Sequence, residues 1–157
     1  LKHDKLTIAH KNKTLHRNFM GYSSHKTDIM LGFGTSAISE TEDFFFQNIK
    51  LELKYRQSLE KKELPNLRGH KLTDSDKLRK KLIIELMTTW EVEVPITLVE
   101  DLRNYLSTLE DDKLLIWDKN KLKVTEQGKP FLRIIGTAFD ENFRESKKES
   151  SLFSKAI

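Results

Sequence analysis

The stretch Thr73-Asp74-Ser75-Asp76-Lys77-Leu78-Arg79-Lys80-Lys81-Leu82-Ile83-Ile84-Glu85-Leu86-Met87-Thr88-Thr89-Trp90 decides the fold. Leu78, Leu82, Leu86 and Trp90 recur every four residues, with Ile83 and Met87 beside them, while Lys77, Arg79, Lys80 and Lys81 fall largely outside that stripe. This spacing predicts an amphipathic helix packed on a core. Thr73 suits the N-cap, and Asp74 and Asp76 suit the positive end of the helix dipole. Downstream, Pro95 marks a new start, and Leu98, Val99, Leu102, Tyr105, Leu106 and Leu109 line a second helical region, with a possible break near Arg103-Asn104. Leu114 to Trp117 and Lys121 to Val124 flank the polar turn Asp118-Lys119-Asn120, which predicts a hairpin. Leu132, Ile135, Phe139 and Phe143 stripe a last helix, with Phe131 and Ala138 adjacent. Thr125 could cap that helix, although Pro130 favours a start nearer Gly128. Helix, helix, possibly helix, two-stranded wing and long helix is a winged-helix-like order.

Upstream the pattern changes. Leu64-Pro65-Asn66 and Arg68-Gly69 predict a connection. Leu51, Tyr55 and Leu59 share one face of a helix over 49–59, and residues 44–48 suggest a short extended element. Residues 29–39 form an apolar stretch containing Gly32 and Gly34, which reads as a buried strand or strand-plus-turn of the kind parallel sheets use. A lone G-x-G is weak evidence for a phosphate or cofactor loop. The expected fold class is mainly α with small β. A winged-helix-like domain spans 73–143, preceded by a linker at 65–72 and a different unit at 1–64, and followed by a polar tail at 144–157.

Composition narrows the function. The 157 residues are 37% hydrophobic and 33% charged, as in a folded domain with a charged surface. No run approaches the roughly eighteen apolar residues a membrane span needs, so no membrane is expected as a partner. Leu1 is not an initiator Met, and no apolar h-region follows it. The chain therefore reads as the remainder of a longer protein. There is no cysteine, which excludes disulfides, thiolate chemistry and a self-contained iron–sulfur site in this chain. His3, His10, His16 and His25 lie in the lead segment without tight ligand spacing.

The net charge of +4 is confined to residues 1–30, which hold six Lys/Arg and two Asp/Glu against 22 and 22 in the rest. In a winged helix that bound DNA, residues 96–112 would meet the bases. They carry Glu100, Asp101, Glu110, Asp111 and Asp112, with Arg103 as the one base. Phosphate binding needs the opposite balance, so a nucleic-acid partner is not expected.

Several blocks together resemble a known family. Leu15-His16-Arg17-Asn18-Phe19-Met20-Gly21-Tyr22 and Leu31-Gly32-Phe33-Gly34-Thr35-Ser36-Ala37-Ile38-Ser39 resemble the LHRNFxGY and GxGxSAIS blocks of the oxygen-independent coproporphyrinogen III oxidases. Gln47-Asn48, Leu67-Arg68-Gly69, Leu78-Arg79-Lys80, Ile84-Glu85-Leu86-Met87, Val124-Thr125-Glu126-Gln127-Gly128 and Phe139-Asp140 continue the resemblance in order, over roughly residues 3–143.

The resemblance implies a cytoplasmic, monomeric radical S-adenosylmethionine enzyme of haem biosynthesis. Such an enzyme decarboxylates two propionates of coproporphyrinogen III to vinyl groups. A [4Fe–4S] cluster on a CxxxCxxC motif cleaves S-adenosylmethionine in a (β/α) barrel domain, and a C-terminal helical domain closes over the site. Residues 1–64 would then be the last elements of an incomplete barrel, with the protein's own N-terminal barrel domain as their partner. Alone, the chain is expected to be inactive and to bind neither cofactor fully. The resemblance also implies that Phe19, Met20 and Ile38 face a second S-adenosylmethionine, with no catalytic or metal-ligating residue in the chain. Many members have Gln at the position of Met20, and a thioether packs but cannot reproduce the amide's hydrogen bonds. In the last helix the family's Arg-Asn pair stands here as Arg133-Ile134. Two other readings remain: a haem-binding relative, and a winged-helix nucleic-acid module.

Overall fold

The computed structural model describes residues 3–149. Helix α1 (Lys5–Lys11) starts at Asp4, whose carboxylate accepts from the Thr7 amide at 2.8 Å. Strands β1 (His16–Asn18) and β2 (Gly21–Ser23) form an antiparallel hairpin in which Asn18 faces Gly21, so Phe19 and Met20 are its turn. Strands β3 (Ile38–Glu40), β4 (Phe44–Asn48) and, after helix α2 (Glu52–Glu60), β5 (Asn66–Lys71) make a second antiparallel sheet in the order β3-β4-β5.

Helix α3 (Asp74–Thr89) opens on a reciprocal capping box. The Asp76 amide donates to the Thr73 hydroxyl at 3.1 Å, and the Thr73 amide donates to the Asp76 carboxylate at 2.9 Å. Trp90, in the left-handed conformation at φ 64°, turns the chain into β6 (Glu91–Glu93). Helices α4 (Ile96–Tyr105) and α5 (Ser107–Asp111) follow, then β7 (Leu115–Asp118) and β8 (Lys121–Val124). A 3-10 turn at Lys129–Phe131 leads into α6 (Leu132–Thr137) and α7 (Glu141–Glu149). Leu86, Val92, Leu102, Leu106, Leu115, Leu122, Ile135 and Phe139 fill one buried core between α3, α4, the β6-β8-β7 sheet and α6. The described residues are mainly helical with less β and form no closed barrel.

Several expectations are corrected. Residues 29–39 are not a buried strand. Only Ile38–Glu40 is a strand, Met30 makes a single bridge to Glu40, and Ile29, Leu31 and Phe33 are 63%, 59% and 87% exposed. The segment is a loop tied by polar groups: Asn48 donates to the carbonyls of Gly32 and Gly34 at 3.1 and 2.9 Å, and the Gly32 amide donates to Ser39 Oγ at the loop's own end at 3.0 Å. Gly34 (φ 101°) and Ser36 (φ 62°) bend it away from extended geometry. The described strands pair antiparallel, not parallel. The α2 stripe stays wet, with Leu51 62% and Leu59 48% exposed. The expected linker contains β5, which pairs along β4.

The wing has a third strand, β6, joined to β8. The helical break falls at Leu106, two residues later than expected. The long last helix is three pieces. At Gly128 a Cβ would lie 1.8 Å from the Leu114 carbonyl oxygen, so the chain crosses β7's approach there before it can coil. Thr125 caps that turn instead, accepting from the Gly128 amide at 3.1 Å. The expected polar tail is helical as far as Glu149, and Leu152, Phe153 and Ile157 lie outside the described residues.

The lead elements dock on α3. The Tyr22 hydroxyl donates to the Met87 carbonyl at 3.1 Å, and the His10 ring packs on Trp90 at 4.4 Å between centroids. Glu40 pairs with Lys80 at 2.5 Å, and Asp43 pairs with Lys77.

Candidate functional site

The hairpin turn and the β3-β4-β5 sheet enclose a hollow of about 330 Å³. Phe19 comes from the turn. Its ring meets the Phe45 ring edge to face, 5.0 Å between centroids and 84° between planes, a geometry that suits the aromatic quadrupoles. Ile38 from β3, Phe46 and Gln47 from β4, and Arg68, Gly69 and His70 from β5 also line it. Strand register explains why they meet. Ile38 faces Gln47, which faces Arg68, and Glu40 faces Phe45, which faces His70. Side chains alternate along a strand, so both rows stand on one face of the sheet.

Helix α3 closes the second row. Lys80 Nζ lies over the Phe45 ring at 4.7 Å while paired with Glu40. His70 Nε2 is 3.3 Å from the Asp76 carboxylate. The Thr73 amide, then the Thr73 hydroxyl and His70, hold Asp76 below the usual carboxylate range.

Phe19 and Ile38 therefore share a wall of this hollow. Met20 does not line this hollow. At the second turn position it is 87% exposed, with its amide donating to Asn18 Oδ1 at 2.9 Å. Sequence reading missed Phe45, Gln47, Arg68 and His70 as site residues. The blocks Gln47-Asn48 and Leu67-Arg68-Gly69 were the available signal, but nothing in them showed that they face each other.

A larger hollow, about 580 Å³, lies between α3 and the segment around Lys26. Its charges are mixed and its key lysines engaged: Lys77 and Lys80 hold Asp43 and Glu40. The 330 Å³ hollow, with aromatic walls and few polar groups, has the composition of a small-molecule site.

The chain has no cysteine, and the described residues hold no group of three or more His, Asp or Glu that could bind a metal. An iron–sulfur cluster does not fit on these residues. An adenosyl-sized ligand does fit the hollow by wall chemistry: aromatic faces, an aliphatic side chain and a guanidinium. No helix of the described residues is long and apolar enough to cross a membrane.

This fold, an α/β assembly without a complete barrel, matches the C-terminal region of a radical SAM enzyme. That enzyme is the solved coproporphyrinogen III oxidase of Escherichia coli, with a TM-score of 0.83 and 28% identity over 90% of this chain and 35% of that one. The chain is homologous to the oxygen-independent coproporphyrinogen III oxidases. It is 33% identical to the Synechocystis enzyme and 32% to that of Escherichia coli, each over 98% of this chain. The Pseudomonas aeruginosa enzyme is 30% identical over 100% of it. The chain spans about 36% of the length of these relatives. No family model matches it.

Proposed function

We propose that this chain is the part of a cytoplasmic, oxygen-independent coproporphyrinogen III oxidase that walls and covers the substrate side of the reaction chamber. The observation that carries the reading is the Phe19–Ile38 hollow: two separate blocks that each resemble the family form one ligand-sized wall. Residues 1–64 would adjoin the radical-SAM barrel. Residues 73–143 would be the covering domain, and the 65–72 segment, with β5, would join the two. Phe19 and Ile38 would pack against a bound S-adenosylmethionine, which stacks on aromatic and aliphatic faces. Met20 would reach that ligand only from the exposed turn.

The reaction would convert two propionates of coproporphyrinogen III to vinyls. The cofactors supply a 5′-deoxyadenosyl radical, and the cysteine ligands for their cluster are not in this chain. What these residues do is bind and orient: aromatic walls exclude water, and the docked α3 holds the sheet in place. The test is an anaerobic assay of the full natural polypeptide, reconstituted with iron and sulfide and given S-adenosylmethionine and coproporphyrinogen III. Formation of protoporphyrinogen IX supports the reading. Stoichiometric haem uptake with no decarboxylation would replace it with a haem-handling role.

A further inference from the structure

One member of this face, Arg68, commits one of its five guanidinium N–H donors in the described hydrogen bonds. Arg68 stands beside Gln47 in the first row and lines the hollow. Its Nε–H donates to Gln47 Oε1 at 3.2 Å, and Gln47 Nε2 donates to the Ser36 carbonyl at 3.0 Å. This relay fixes the Gln47 amide and uses one edge of the guanidinium. In the neighbouring row Glu40 pairs with Lys80, and His70 Nε2 lies 3.3 Å from the Asp76 carboxylate. Among the described residues no carboxylate stands within ion-pair distance of Arg68. A guanidinium held through Nε presents its two Nη groups as a planar fork, which is the matched donor pair for a carboxylate. The same wall offers Phe19 and Ile38 to a flat ring.

We infer that Arg68 is a specificity-determining residue, whose Nη edge holds the carboxylate of a ligand whose flat ring lies against Phe19 and Ile38. The inference rests on the proposed reading of this hollow as a ligand wall. It adds which end of the ligand is recognised, and by what. Two ligands of that reaction carry a carboxylate tethered to a ring system: S-adenosylmethionine, through its amino-acid end, and the porphyrinogen, through a propionate. Both present the same chemistry to Arg68.

Equilibrium dialysis of the reconstituted full polypeptide tests it. The probes are S-adenosylmethionine and its decarboxylated analogue, and coproporphyrin III and its tetraamide. Arg68→Gln is expected to weaken one carboxylate probe about tenfold and leave its carboxylate-free counterpart unchanged. The affected pair names the source of the carboxylate. Arg68→Lys should recover only part of the affinity, because an ammonium is a point charge without the fork. Phe19→Ala should weaken the same probe without discriminating it from its counterpart. Loss in Phe19→Ala with unchanged binding in Arg68→Gln overturns the role of Arg68 alone. Loss in Arg68→Gln with unchanged binding in Phe19→Ala keeps the carboxylate contact but removes the hollow as the ring site. If neither variant changes binding, or no probe binds the parent protein, both fall.

Discussion

Lys80 on α3 and Glu40 on β3 form a 2.5 Å ion pair whose side chains are only 28% and 15% exposed. The pair joins the sheet that carries the candidate site to the helix that organises the winged-helix core. The same ammonium lies over the Phe45 ring, so one cation ties the helix, the sheet and the wall of the hollow. Breaking a mostly buried pair leaves the remaining charge without its partner. Lys80→Met, which keeps the alkyl packing, is expected to cost about 1–3 kcal/mol. Lys80→Met combined with Glu40→Gln should cost less than the sum of the two. Urea unfolding of the four proteins of the cycle measures this, and additive losses would show that the pair is not coupled.

Gly128 is confined by backbone, not by a movable side chain. A Cβ there would sit 1.8 Å from the Leu114 carbonyl oxygen and 3.0 Å from Val124 Cγ1. Gly128→Ala should therefore destabilise the fold by at least about 3 kcal/mol, where an exposed glycine would tolerate alanine. Gly21 and Gly34 offer the contrast, since a Cβ there meets nothing within 4 Å and only their positive φ is strained. Thermal unfolding should rank Gly128→Ala as the most damaging of the three.

Asn48 holds the 29–39 loop through the carbonyls of Gly32 and Gly34. Its buried amide reaches both carbonyls from the end of β4. Asn48→Ala should leave two carbonyls short of a donor and cost about 2 kcal/mol. Hydrogen exchange should accelerate at Gly32 and Gly34 while the amides of Leu82, Leu86 and Met87 in the core change little. Equal acceleration in both regions would mean that the loop and the core open as one unit.

Asp76 predicts an acid limb in stability. Hydrogen bonds from Thr73, backbone first, lower its folded pKa, so the unfolded chain binds the proton more readily. Its contribution is present above the ordinary aspartate value of about 3.9 and is lost as pH falls through the lower folded value. Asp76→Asn should lose about 1 kcal/mol near neutrality through the weakened capping box. It should converge with the parent protein below that window. A constant difference from pH 7 to pH 2 would contradict the assignment.

Much of the winged-helix unit is written locally. Thr73 and Asp76 are three residues apart and cap each other. The four-residue stripe of α3 and the alternation around Asp118-Lys119-Asn120 each specify an element without outside help. Strand β6 is different. Glu91-Val92-Glu93 is too short to show a period, and pairing with β8 makes it a strand. The 29–39 run misled for a related reason. Its apolar composition reads as burial, but its path is set by Asn48 from β4 and by Ser39 at its own end. The family-like blocks single out Phe19 and Ile38, and both side chains line the hollow. The apposition of Gln47 and Arg68 was not legible, because it depends on the register of strands 21 residues apart in sequence, beside an irregularity at Gln47/Asn48.

As the proposed ligand wall of a coproporphyrinogen-decarboxylating enzyme, the Phe19–Ile38 hollow should be needed for turnover. The most direct measurement compares the parent protein with Phe19→Ala in the full natural polypeptide, anaerobically reconstituted, with the cluster absorbance recorded alongside protoporphyrinogen IX formation. The expected result is turnover by the parent protein and a loss of at least about tenfold in Phe19→Ala, with unchanged cluster absorbance. Equal turnover by the two proteins, or none by the parent, would contradict it.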